Sequence, residues 1–203
     1  MTFPDSTQVV VNVGSGIENA NPLPTYFDSW QQIRVDIDPA VKPDIVADIT
    51  DLSQISDASA DAVWAAHCVE HLFVHQVPLA FREFKRILRS DGFVCVIVPD
   101  LQTVGRYIVA DRLQEAIYES DAGPVTAHDV VFGFGAALAR GHKSMAHRCG
   151  FTPSMLQQSF MQQSYGEILI RRNVEKLELV ALARITPARD DDERGALLSA
   201  LQL

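Results

Sequence analysis

The residues best able to do chemistry sit early in the chain. Asn12-Val13-Gly14-Ser15-Gly16 follows a run of valines, Val9 to Val11, and Val35-Asp36-Ile37-Asp38 comes about twenty residues later. Branched side chains suit a pleated, buried strand. A Gly-x-Gly turn lets the backbone fold back tightly and exposes bare peptide groups. In open parallel sheets the ligand lies beyond the carboxyl ends of the strands, and an acid about twenty residues past the glycines is where such folds hold a ribose. Asp36 is that acid, because one carboxylate can accept from both hydroxyls of a diol. Asp48, which closes Asp44-Ile45-Val46-Ala47-Asp48, is a candidate acceptor for an exocyclic amine. Asp38, before Pro39, reads as a turn residue. The competing reading of all three acids is that they cap turns or bind loop amides. The spacing favours a nucleoside-containing ligand without saying which.

A second group is His67-Cys68-Val69-Glu70-His71. H-x-x-E-H on a helix is the pattern in which two histidines bind zinc and the glutamate acts as base. A catalytic zinc needs three protein ligands and an open position. Here the pattern follows directly on a strand and no downstream acid completes the set, so no metal is expected. His128, His142, His147 and Cys149 lie in a glycine-rich middle segment that is a candidate lid over the ligand. His142 and His147 are candidates for a general base, against the alternative of structural or surface histidines. Arg106 and Tyr107 are candidates to line the same cleft. Trp30 and Trp64 read as core residues rather than stacking platforms.

The elements that must position these groups alternate. Strands are expected at Val9–Val13, Ile33–Ile37, Asp44–Asp48, Ala62–Ala66 and Phe93–Val98. The first crossover, Ile17 to Pro24, is rich in proline and turn residues, and Asn19 stands where a third glycine is expected. It predicts a short, irregular link with one helical turn near Tyr26 to Trp30. Pro78 to Arg89 is the clearest helix, with Ala80, Phe84, Ile87 and Leu88 on one face and Asp91-Gly92 ending it. Leu101 to Glu119 is expected as a helix with Asp100 at its N-cap. Residues 121–150 read as loop and short helix. Thr152-Pro153-Ser154 opens a helix that Gly166 closes. Glu167 to Arg171 and Leu177 to Ile185 read as a hairpin. The expected fold is a three-layer, Rossmann-like α/β domain, with a mostly parallel sheet that ends in an antiparallel hairpin. It spans residues 1–186, with residues 101–150 as lid or insertion and residues 187–203 as a solvated tail.

Charge separates the candidate ligands. A dinucleotide brings an anionic pyrophosphate that wants a prompt helix N-terminus. Prolines and acids stand there instead. S-adenosylmethionine carries adenosine, no phosphate and a cationic sulfonium, and suits an anionic rim. At this point the chain resembles the class I S-adenosylmethionine-dependent methyltransferases, in particular small members with a shortened first crossover. The resemblance rests on Asn12-Val13-Gly14-Ser15-Gly16, Val35-Asp36-Ile37-Asp38, Val46-Ala47-Asp48-Ile49, Asp61 to Leu72, and Phe84 to Phe93. It implies that Gly14 and Gly16 approach the methionine part of the cofactor, with Asn12 and Ser15 in the same motif. It also implies that Asp36 holds the ribose, Ile37 and Ile49 flank adenine, Asp48 faces its amino group, and His67 begins the loop near the methyl. In the same likeness Glu70-His71 starts the helix after the fourth strand and holds loops by hydrogen bonds.

Composition sets the outer limits. The chain has 203 residues, 47% of them apolar, enough for one buried core. A net charge of −9 with scattered cations offers nucleic acid no docking face. Cys68, Cys95 and Cys149 are odd in number and far apart, which points to a reducing, cytoplasmic setting. The start has no secretory pattern, and no apolar run approaches a membrane span. The expected activity is methyl transfer from S-adenosylmethionine to a small-molecule or protein acceptor. The rivals are a non-catalytic cofactor-binding or scaffolding module and, against the missing third glycine, an NAD-dependent oxidoreductase. The sequence leaves the oligomeric state open.

Overall fold

The computed structural model describes Met1 and residues 7–18, 22–120 and 123–201. The expected departure at Asn19 lies outside the described residues. Seven strands form one sheet: β1 (Val9–Val13), β2 (Gln31–Asp36), β3 (Ile45–Val46), β4 (Ala60–Ala66), β5 (Leu88–Pro99), and two more late in the chain, Glu167–Asn173 and Glu178–Arg184. A separate two-stranded hairpin intervenes, β6 (Ala116–Ser120) with β7 (Gly123–Thr126), so the last two strands are β8 and β9. The sheet order is β3-β2-β1-β4-β5-β9-β8. β1 to β5 run parallel, whereas β9 is antiparallel to β5 and to β8. This is the mixed α/β architecture expected from the sequence.

Both faces of β1 are covered, which is why all five of its residues are buried. Val9, Val11 and Val13 point into the larger core. Helix α1 (Val77–Ile87) supplies Phe81 and Phe84 to that core, and Leu156 and Phe160 enter it from a helix at Pro153–Met161. Phe81 and Phe160 stack with centroids 4.3 Å apart. Val10 points the other way, toward Phe27, Trp64, Phe93, Leu198 and Leu201. That face is closed by a 3-10 turn at Thr25–Phe27 and by the C-terminal helix, Asp191–Ala200. In the described part of the first crossover the one helical turn lies at Thr25–Phe27, and Trp64 is a core residue with Trp30 packed beside it.

The strands shift from expectation by a few residues at their ends, and the helices differ more. The helix expected to reach Arg89 stops at Ile87, because Leu88 already pairs with Ala60 of β4. The helix expected over Leu101 to Glu119 is α2 (Leu101–Val109) only. Asp111 takes a left-handed φ of 57° and the Arg112 amide turns back to the Tyr107 carbonyl, so the chain leaves the helix and enters β6. The middle segment then holds α3 (Ala127–Phe132), opened by a Thr126–Asp129 capping box, and α4 (Gly135–Ala139). The helix expected to run to Gly166 is α5, which ends at Met161. Residues 187–203 are not simply a solvated tail. Asp190 caps α6 (Asp191–Ala200), its first-turn acids face the positive end of the helix dipole, and Leu198 and Leu201 are buried.

Candidate functional site

The register brings the expected site residues to one edge. Val13 stands level with Val35 of β2 and with Ala65 of β4, and Val35 is level with Ile45 of β3. The next residues along, Gly14, Asp36, Val46 and Ala66, therefore share the carboxyl edge of four adjacent parallel strands. Gly14 has a φ of 63°, and a Cβ placed on it would lie 2.4 Å from the Cys68 Cβ. Both the turn and the close approach to the β4 loop require glycine there. Gly16 has a φ of 60° but faces open space, so only its backbone conformation asks for glycine.

Asp36 ties this edge together. Its Oδ2 accepts from the Gly16 amide at 2.8 Å and its Oδ1 from the Asp38 amide at 3.0 Å. The loop-binding alternative raised for the strand-end acids is thus realised here, and it leaves room for a ligand. An ionised carboxylate has about four acceptor sites, so one bond per oxygen leaves one on each. Asp38 is the turn residue expected, accepting from the Ala40 amide. Asp48 accepts the Thr50 amide and hydroxyl through Oδ1, at 2.9 and 2.7 Å. Arg34, which the sequence reading passed over, donates to the Gly16 and Val41 carbonyls through Nη2 and to the Lys42 carbonyl through Nη1. It staples the glycine turn to the loop after β2. A cation inside a strand is a weak signal by itself, and only the register shows what it reaches.

Other members of the predicted set are placed differently. Ser15 is 6% exposed and its hydroxyl has no hydrogen-bond partner among the described residues. Ile37 is exposed beyond β2, whereas Ile49 is buried in the main core and has little surface to offer. Asn12 lies inside β1, between Arg34 of β2 and Trp64 of β4. Tyr107 and Arg106 line a small cleft with Thr103, Arg112 and Leu177. A cleft of about 450 Å³ opens between Trp30, Arg184 and α6, near Gln8 and Gly92, at the opposite edge of the sheet from the glycine turn.

The β4 loop carries the histidines. His67 has a left-handed φ of 53° and its side chain is 48% exposed. Its Nε2 lies 3.1 Å from Glu178 Oε1 and its Nδ1 3.5 Å from Glu70 Oε1. Surrounding protein opposes its charge, but the contact with Glu178 and attraction to both carboxylates prevail and raise its pKa. Glu70 and His71 fall in a 3-10 turn, Val69–His71, rather than at the start of a helix. That turn does hold loops, since the Glu70 carbonyl accepts from the amides of Arg148 and Cys149 and the His71 carbonyl from Arg148 Nη1. Burial opposes ionisation of the Glu70 carboxyl, yet the histidines around it, His67 first, keep its pKa below the usual value. His147 is turned toward Glu70 with Nε2 4.0 Å from Oε1, and burial lowers its pKa. His142 is exposed and does not join them. The structure thus brings His67 and His147 to Glu70 and leaves His142 outside.

A seven-stranded sheet of this order, with a glycine turn after β1 and an acid at the end of β2, is a Rossmann-like fold. Residues 11–96 match the family model described as a methyltransferase domain, which takes in β1 to the middle of β5. Among solved structures, the chain is similar to an S-adenosylmethionine-dependent methyltransferase from Archaeoglobus fulgidus, with 12% identity, a TM-score of 0.55, and coverage of 87% of this chain and 86% of that one. It is also similar to a 1,6-didemethyltoxoflavin N1-methyltransferase from Burkholderia thailandensis, solved with 1,6-didemethyltoxoflavin and S-adenosylhomocysteine bound. There the identity is 16%, the TM-score 0.54, and the coverage 89% and 72%. An S-adenosylmethionine-dependent methyltransferase from Methanosarcina mazei aligns over 92% of this chain and 100% of its own, at 9% identity and a TM-score of 0.55. No curated protein shows significant similarity to the chain. Among the described residues no helix is long and apolar enough to cross a membrane.

Proposed function

We propose that the chain binds S-adenosylmethionine at the carboxyl edge of β1, β2 and β4 and transfers its methyl group to a small molecule or a protein side chain. The observation that carries this reading is the unpartnered Ser15 hydroxyl in the glycine turn, beside an Asp36 carboxylate with acceptor capacity to spare. A buried hydroxyl without a partner is costly, and a ligand with polar groups at this point would relieve it. Asp36 accepts the ribose hydroxyls, Asp48 the adenine amine, and Ile37 covers a face of the base. Bound there, the cofactor supplies a methyl on a cationic sulfonium.

The protein's own part is mainly positioning, which can supply on the order of 7–11 kcal/mol of barrier reduction. The acceptor's electron pair forms the new bond to the methyl carbon as the sulfur keeps the pair of the old one. Of the candidate histidines, His67 has the best support, because it is half exposed at the end of β4 and held by Glu178. His142 and His147 have less, one being exposed away from the edge and the other turned to Glu70. A chain with a net charge of −9 favours a neutral or cationic acceptor over nucleic acid. A thermal-shift series tests the reading: S-adenosylmethionine and S-adenosylhomocysteine raise the melting temperature and NAD does not. Stabilisation by NAD alone contradicts it.

A further inference from the structure

Glu70 is 1% exposed, and neither carboxylate oxygen accepts a hydrogen bond among the described residues. A buried carboxylate in that condition is strongly unfavourable unless a cation meets it. His67 stands 3.5 Å away, an ion-pair separation, and spends its other nitrogen on Glu178. The remaining neighbours are His71 and His147, whose ring centroids lie 5.0 Å apart. His71 Nδ1 is 3.2 Å from the Ala146 carbonyl and His147 Nδ1 is 3.0 Å from the Val130 carbonyl. A carbonyl only accepts, so both Nδ1 atoms carry protons, and in the neutral rings each Nε2 keeps its lone pair. One ligand atom from each of Glu70, His71 and His147 lies within 4.8 Å of the others.

We infer that Glu70, His71 and His147 bind one divalent transition-metal ion, zinc by preference, which clamps the middle segment onto the loop after β4. Two imidazoles and a carboxylate suit zinc better than magnesium or calcium, which prefer all-oxygen sets. Backbone carbonyls on the far nitrogens are the usual outer partners that fix the tautomer of a ligating histidine. Ligands at about 2.0–2.2 Å from a tetrahedral ion stand about 3.3–3.5 Å from one another. The His147 Nε2 to Glu70 Oε1 distance of 4.0 Å, within a set spread over no more than 4.8 Å, is longer than that, so the three side chains turn inward on binding. The two loops are already laid together by the amides of Arg148 and Cys149 on the Glu70 carbonyl. The set differs from the one the H-x-x-E-H spacing suggests, since His67 takes no part and the third ligand comes from the middle segment. It is independent of the methyl-transfer reading, because no cofactor contact enters it.

The test is titration of the metal-free full chain with zinc chloride against a chromophoric chelator, alongside cobalt(II), whose visible absorption reports four-coordinate nitrogen and oxygen ligation. One ion per chain is expected, with a rise in melting temperature. Asparagine keeps an amide N–H near the place of Nδ1 and has nothing at that of Nε2, so His71→Asn and His147→Asn preserve the carbonyl bonds. Each is expected to weaken binding by more than the roughly 10–100-fold that loss of an outer partner costs. Glu70→Gln tests the third ligand if either histidine variant fails to fold, and His142→Ala binds as the parent does. Absence of a stoichiometric ion in the parent, or parental affinity in the folded variants, overturns the assignment.

Discussion

Asp36 ends β2 and Glu70 lies in the loop beyond β4, the two strands flanking β1, and the chain treats them in opposite ways. Asp36 is half-buried, bonded to two backbone amides, and has acceptor sites left over. Glu70 is buried, its carboxylate accepts no hydrogen bond among the described residues, and imidazoles ring it. The first arrangement suits a neutral polar ligand that comes and goes. The second suits a cation, whether imidazolium or metal, that stays. Two acids near the ends of the strands that flank β1 thus have different surroundings, since only Asp36 has its carboxylate bonded to backbone amides among the described residues.

The two corners meet at the glycine turn, where Gly14 lies against Cys68 and the Gly16 amide bonds to Asp36. Gly14→Ala places a Cβ against Cys68 in a left-handed backbone and is expected to cost roughly 2–5 kcal/mol in urea unfolding. Gly16→Ala meets no neighbour and should cost only about 1–2 kcal/mol by the same assay. Next in size, Asp36→Asn is expected to weaken S-adenosylhomocysteine binding by about tenfold to a hundredfold, since hydrogen bonds to a charged group contribute roughly 1.5–3 kcal/mol. Asp36 also carries two loop amides, so complete removal by Asp36→Ala should lower the melting temperature as well. Ser15→Ala gives a smaller effect, an affinity loss of about 0.5–1.5 kcal/mol. It should not lower the stability of the ligand-free chain, because an unpaired hydroxyl is being removed.

The smallest effect lies away from both corners and sharpens the contrast. The Arg189 amide and side chain, with Arg184, hold the Glu193 carboxyl down to about 2, against an ordinary 4.5. A depressed carboxyl stabilises the fold above its unfolded value, and that contribution is lost as pH falls from 4.5 through about 2. Acidification should therefore loosen α6. Tryptophan fluorescence reports this, because Trp30 and Trp64 share the core face that Leu198 closes. A flat signal across that range removes Glu193 from the docking of α6.

Much of the glycine-turn corner was legible because it is local. A valine run, two glycines and an acid lie within a short stretch, and parallel register does the rest. Asp100 and Thr152 were legible as caps for the same reason. The Glu70 corner was not, since His147 is remote in sequence and only the fold carries it there. The H-x-x-E-H spacing drew attention to His67 and His71 as a pair, yet His67 is taken up by Glu178. The run Asp190 to Glu193 has the composition of a solvated segment, and its capping role shows only with the helix it opens. As an N-cap and first turn these residues begin a helix whose Leu197 and Leu198, with Leu201 at its C-cap, close the second core face beside Phe27.

Isothermal titration of the full chain with S-adenosylhomocysteine, beside Asp36→Asn, tests whether the edge holding Gly14, Ser15 and Asp36 is a cofactor site. One saturable site per chain, weakened at least tenfold in the variant, is the predicted result. Equal affinity in the two proteins, or no binding by the folded parent, would contradict it.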